Sequence, residues 1–501
     1  MTALVYRIPV LPRPVLPRGL AMPGAVPPRS LVHSLALGLV WLAVASGSVV
    51  FTEPAPTDVL TLGVIVLLPV IGLVAFRAAH MSLAAIWLVI CAGGFVAAID
   101  TSAVGTATTH MAVSLYLCLA SVVIAGFVTL KPVAHTRLLL NAHLAGALIA
   151  ASAALAGYFG LVPGAADLFV KFERASGPFK DPNVFGPYLI PAIVYALHLW
   201  LTRPLHRGLL PAIAFAVLTV ALLLSFSRAA WAGAAMAIAL YLYLSFVTTR
   251  RDLDRLRITG LVLAGALLLV PLLAAALQHD AIGKLFSERA TLTQSYDVGP
   301  EGRFGGQEKA LDLIAEHPLG LGALEFSRSY HHEEVHNVYL SMFLNAGWVG
   351  GCLFLALSVS LLALSLTHAL RRGTLQALHI VAFAALSSNV LIGAVIDTDH
   401  WRHLYLLIAI AVGLMAARAP ARRREARIIA DRRPLLLRRV VVLAPPRREA
   451  RIVRRSGEVV ELFPDPLRGR PPGGFKRAVR LIGPVRPKRL PRLRGTAVAR
   501  V

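Results

Sequence analysis

The stretch "SYHHEEVHNVYLSMF" at 329–343 contains His332-Glu333-x-x-His336, the letters of a zinc-peptidase signature. Two histidines four residues apart share a zinc ion only when a helix turns both to one face and a third ligand completes the site. Here the apolar run begins at Val338, so His332 is expected in a polar loop rather than on one helix with His336. The following "NVYLSMFLNAGWVGG" offers no histidine or glutamate as third ligand, which leaves only the distant His400 or His403. No metal site is assigned, and His331, His332, Glu333 and Glu334 are read as a polar loop able to shape an acceptor site. The remaining candidates are cationic: Arg174 and Lys180 in "KFERASGPFKDPNVFG" (171–186), Arg228 in "SFSRAA" (225–230), and Arg303 in the connection 279–335. An arginine presents a planar donor fork that matches phosphate oxygens, so the chemistry favours a lipid carrying pyrophosphate. An imidazole such as His336 is the side chain best suited to orient or deprotonate a hydroxyl near neutral pH.

The elements that must position these groups are apolar. The 501 residues are 57% hydrophobic and 15% charged, with mean hydropathy +0.69, more than the core of a water-soluble domain needs. Segments long enough for a hydrocarbon layer of about 30 Å lie near 31–51, 58–76, 81–99, 108–130, 139–162, 184–202, 208–226, 229–249, 258–278, 337–369, 375–396 and 401–417. The expected fold is all-α and polytopic, with about twelve transmembrane helices and a long periplasmic loop between spans 9 and 10. The segment 337–369 is too long for one perpendicular crossing, and Asn345-Ala346-Gly347 interrupts it. A short tilted helix that turns at Gly347 before spanning is expected there.

Basic residues fall in every second connection. Arg77, Lys131, Arg137, Arg203, Arg207, the run "RRDLDRLR" (250–257), Arg371 and Arg372 would share one side with both termini, and that side is cytoplasmic by the positive-inside rule. The arm before residue 31 is longer than the n-region of a signal peptide, so the first apolar segment is read as an anchor. Cys91, Cys118 and Cys352 lie within expected spans, where packing is the default role. The tail 418–501 holds 25 of the 50 Lys and Arg but 6 of the 26 acidic residues, and repeats "RREARII" (423–429) as "RREARIV" (447–453). Its basic, proline-rich composition reads first as a disordered, solvated cytoplasmic extension that reinforces topology, with a segment lying on anionic lipid or binding an acidic partner as the alternative.

Two outward loops break the charge rule, and Arg174, Lys180 and Arg303 sit in them. "DPN" at 181–183 before an apolar run is a helix-capping pattern, so Asp181 and Asn183 are supporting candidates with a capping alternative. The ordered set Arg174-x-x-Gly177-x-Phe179-x-Asp181-Pro182-Asn183, Ser225-x-Ser227-Arg228-Ala229, Gly302-Arg303, "HPLGLG" (317–322) and His336-Asn337-x-x-Leu340 resembles the O-antigen ligase and Wzy-polymerase superfamily. The resemblance covers about 171–350. It departs at Gln307, where the family tends to place tryptophan.

That resemblance implies a cofactor-free, metal-independent glycosyltransferase of the bacterial inner membrane, acting on an undecaprenyl-pyrophosphate-linked glycan. Arg174, Arg228 and Arg303 would hold the pyrophosphate and stabilise the leaving group. His336 would act with Arg303 in catalysis, with Lys180, Asp181, Asn183 and Asn337 in support. The acceptor would be lipid A core or a growing polysaccharide, the remaining partners membrane lipids, with no role for nucleic acid. The expected division is an Arg/Pro-rich arm at 1–30, a transmembrane domain at 31–417 with periplasmic loops 163–183 and 279–335, and the tail. A polymerase of the same superfamily is the nearest alternative. A transporter is disfavoured because no internal repeat is evident and the charges cluster at span ends.

Overall fold

In a computed structural model, the structure describes residues 31–278 and 299–417 and the tail strands 439–443, 450–454, 459–462 and 496–500. Each of the twelve apolar segments is helical. Among the described residues, eight helices are long and apolar enough to cross a membrane: α1 (Leu31–Ala45, extended by a turn to Ser48), α3 (Ala78–Ala97, extended to Asp100), α4 (Val104–Leu130), α5 (Pro132–Tyr158), α7 (Pro182–Thr202), α8 (Leu205–Leu224), α9 (Arg228–Thr248) and α12 (Val338–Leu370). Three shorter apolar helices, α2 (Pro56–Val70), α13 (Gln376–Ile392) and α14 (Arg402–Ala417), and the helix α10 (Asp252–Leu277) complete the set. Short α6 (Ala165–Phe169) and polar α11 (Arg303–Glu316) lie in connections. Leu35, Val66, Leu88, Leu209, Leu210 and Val359 stand exposed on these helices, a surface that only a lipid environment would cover. The protein is an all-α polytopic membrane protein.

Local signals fix the helix starts. Asp181 caps α7 by accepting from the Asn183 N–H at 2.7 Å, with Pro182 in the first turn, and Ser227 caps α9 by accepting from the Ala230 N–H. Asn337 caps α12 by accepting from the Tyr339 and Leu340 N–H groups.

The break in α12 occurs at Gly347, with φ 70° and ψ −177°. It leaves the Leu344 carbonyl to accept from Leu321 N at 2.7 Å and Gly322 N at 3.0 Å, while Trp348 N donates to Pro318 O at 2.9 Å. The "HPLGLG" turn thus satisfies the interrupted backbone. A Cβ on Gly347 would lie 2.8 Å from the Leu319 and Pro318 carbonyls.

The long connection 279–335 carries secondary structure of its own. Its described part folds α11 and a further turn at Phe326–Tyr330. Gly306, Ala310 and Leu313, spaced four and three apart, form the buried face of α11, and Ala310 and Leu313 pack with Leu321, Phe326, Val335 and Leu344. The tail departs from the expected disorder in its described residues. Strands β3 (Arg439–Leu443), β4 (Ala450–Arg454), β5 (Val459–Leu462) and β6 (Thr496–Arg500) pair antiparallel in the order β5-β4-β3-β6. Their β-branched runs, "VVV", "RIV" and "VVEL", outweigh the surrounding basic and proline residues. The second copy of the tail repeat runs into β4, while the first lies outside the described residues. Chain contacts divide the protein into compact units at 1–416 and 417–501.

Candidate functional site

A cavity of about 300 Å³ opens where α7, α9 and α11 begin. Arg174, Asp181, Asn183, Arg228, Arg303 and His336, six of the residues singled out from sequence, line it together with Ser227, Phe226, Ala229, Glu333 and Ile396.

The loop before α7 forms a two-residue hairpin, β1 (Val170–Lys171) against β2 (Arg174–Ala175), with Phe172 and Glu173 at positive φ in the turn. This hairpin places Arg174 at 5% exposure, where its Nε donates to Ser225 O at 2.7 Å and a terminal nitrogen donates to Asn183 Oδ1 at 2.8 Å. The guanidinium therefore ties the α7 entry to the turn between α8 and α9. Arg228 and Arg303 are each the first helical residue after a cap, Ser227 and Gly302. Three helix N-termini and three arginines face one space, so aligned peptide dipoles add to the formal positive charge there.

His336 lines the same cavity with φ 54°, a left-handed conformation uncommon for a residue other than glycine. Its backbone is held on both sides. The N–H donates to Asp397 Oδ2 at 2.9 Å, and the carbonyl accepts from Gln307 Nε2 at 3.4 Å. The imidazole Nε2 lies 3.3 Å from Glu333 Oε2, and Nδ1 lies 3.9 Å from Asp397 Oδ2. Asp397 also accepts from Ser341 Oγ at 2.6 Å. Burial, and then the negative charge of Asp399, push the Asp397 carboxyl above its ordinary range. Burial opposes ionisation of Asp399 too, but His400 and the hydrogen bond from His110 at 3.0 Å hold its carboxyl well below the usual value. Glu334 is raised by burial and by both aspartates.

The residues 331–337 form no helix, so the geometry that an HExxH zinc site requires is absent from this stretch. His332 instead reaches Glu301 at 3.3 Å and groups with His331 and Glu301, apart from His336.

Two expected supporting residues lie elsewhere. Lys180 pairs with Glu53 at 3.4 Å and borders a neighbouring chamber instead of the arginine cavity. The Asn337 side chain is committed to capping α12 and does not line the cavity. Asp397 was missed by sequence reasoning, although two aspartates in "DTDH" between apolar helices gave a signal. Gln307, the departure from the family pattern, supports the His336 backbone.

No curated protein matches the chain. Residues 213–355 match the O-antigen ligase family, whose members are enzymes acting on lipid-linked glycans. The matched segment contains Arg228, Arg303 and His336, while from outside it Arg174 lines the cavity and Asp397 holds the His336 N–H. The match covers less than a third of the chain, in helices that include two of those beginning at the cavity, and it supports the resemblance to the O-antigen ligase/Wzy superfamily.

Proposed function

We propose that the protein transfers a glycan from undecaprenyl pyrophosphate to an acceptor hydroxyl at the periplasmic face of the bacterial inner membrane. The observation that carries this reading is the convergence of three arginines and three helix N-termini on the space that His336 faces. The hydroxyl oxygen attacks the anomeric carbon as the bond from that carbon to the pyrophosphate oxygen breaks. His336 takes the hydroxyl proton, and undecaprenyl pyrophosphate leaves with the electron pair. Direct displacement inverts the anomeric centre. Arg228 and Arg303 supply the electrostatic stabilisation of the leaving group. Arg174 holds the cavity wall and adds charge. Asp397 positions His336 and, as a carboxyl with raised affinity for protons, ionises more readily beside a forming imidazolium. No step requires a metal ion.

Transfer to lipid A core and polymerisation share this donor chemistry, and deletion of the gene distinguishes them. A ligase mutant keeps long glycan on the lipid carrier, whereas a polymerase mutant attaches single repeat units. The residue test uses His336→Ala, expected to lower transfer about 10²-fold or more at unchanged membrane abundance, in line with loss of a general base. His332→Ala should retain most activity, and EDTA should leave the wild type active. Equal loss in both histidine variants, with zinc restoring a chelated enzyme, would overturn the reading.

A further inference from the structure

We propose that the chamber beside the arginine cavity binds one uncharged sugar ring of the acceptor, an assignment that rests on the transfer reaction inferred above. The chamber holds about 260 Å³ among α1, α2, α4, α5, α7 and α14. That volume falls below the range of about 300–1,000 Å³ typical of drug-sized ligands, so it suits one ring rather than an oligosaccharide. Asp397 borders it and accepts the His336 N–H, so the His336–Asp397 link forms the partition between the chamber and the cavity. A sugar seated there lies against Asp397, the carboxylate that holds His336.

The walls select the chemistry. Arg402 is held by both carboxylate oxygens of Asp58 at 2.7 Å, and Lys180 by Glu53 at 3.4 Å, so the charges cancel in pairs. An anion gains little from such a wall, in contrast to the three-arginine cavity next door. Trp401 and Tyr188 supply aromatic surface, which the apolar face of a pyranose can cover while its hydroxyls meet polar edges. Tyr188 Oη, and His403 Nε2 on a further lining residue, are buried without a hydrogen-bond partner among the described residues. An acyl chain would leave these two groups unpaired and the Arg402–Asp58 pair dehydrated at a cost, whereas a polyol offers donors and acceptors.

The test uses the full-length protein in nanodiscs. A Cβ at Gly47 meets only Thr57 Oγ1, at 3.7 Å, so Gly47→Leu fits its backbone site and pushes its remaining atoms into the chamber. Val44→Phe fills the same space from α1 should the first variant fail to fold. The probes are methyl glycosides of neutral hexoses, followed by saturation-transfer NMR, and undecaprenyl pyrophosphate, followed by native mass spectrometry. Transfer kinetics use saccharide extracted from envelopes of the deletion strain.

The expected result is glycoside binding by the wild type, lost in Gly47→Leu, with acceptor KM raised about tenfold or more and undecaprenyl pyrophosphate binding unchanged. Unchanged acceptor KM in a folded variant overturns the assignment. Loss of undecaprenyl pyrophosphate binding with unchanged glycoside signals also overturns it, because the chamber then holds the donor lipid. Failure of the transfer reading looks different: the wild type binds glycoside but neither binds undecaprenyl pyrophosphate nor forms product.

Discussion

Arg174, Arg228 and Arg303 carry the same charge but are held in different ways, and their substitutions should separate accordingly. Arg174 spends two donors on Ser225 O and Asn183 Oδ1 inside the protein. Hydrogen bonds to a charged group are worth about 1.5–3 kcal/mol each, so Arg174→Ala should lower the thermal midpoint as well as transfer. Arg303→Lys keeps the charge at the α11 N-terminus but loses the planar fork. It should retain the wild-type midpoint and lose about tenfold or more in transfer. Thermal unfolding in detergent and transfer kinetics check the pair, and an unaltered midpoint in Arg174→Ala would remove its structural role. The arginines and His336 were legible because their types and order form a pattern along the chain. Asp397 was not, since its role depends on a contact across 61 residues of sequence. Lys180 misled for the same reason: a charge in the right loop says nothing about which way the hairpin turns it.

Elements were legible where hydropathy alone decides them, and the interruption at Gly347 was readable from composition. The partner of that break was not, because the docking of the 317–322 turn onto α12 is a tertiary backbone match. Helix α11 escaped notice because its apolar face is narrow and its sequence, "RFGGQEKALDLIAE", opens with a glycine pair among charges. The break has a consequence for the site, since it sits within three turns of His336 on the helix that Asn337 caps. Gly347→Ala would force a residue with a side chain into φ 70° and put its Cβ 2.8 Å from two backbone carbonyls. Strain of this kind costs about 1–3 kcal/mol. The variant should therefore unfold at lower temperature and lose transfer, whereas Gly105→Ala, at a position open to solvent or lipid, should do neither. Paired thermal and kinetic measurements decide it, and a Gly347→Ala protein with both properties intact would show that the turn does not need the break.

At the scale of the whole molecule, alternate connections gather at opposite ends of the helical unit. At one end Val50 N donates to Pro178 O, the Ser102 N–H and hydroxyl both donate to Glu325, and His336 N donates to Asp397, so the connections after α1 and α6 are tied to each other, and those after α3 and α13 to the one before α12. At the other end Arg257 donates to the carbonyls of Trp200, Leu201 and Arg203, closing the α7 end against the start of α10. Arg77, Lys131, Arg203, Arg251, Arg371 and Arg372 lie in the connections of this second end, which the charge rule assigns to the cytoplasm. The sequence revealed this alternation through its arginines, but the arginines of the cavity end violate the same rule. An anionic ligand gives them a reason to be there. Reporter fusions after Pro178 and after Gly302 should therefore read as periplasmic, and fusions at Asp254 and Arg424 as cytoplasmic. A cytoplasmic reading at Pro178 or Gly302 would put the arginine cavity on the side of the membrane opposite the displayed glycan. In that event the site could still bind a pyrophosphate, but the proposed transfer at the outer face would have to be abandoned.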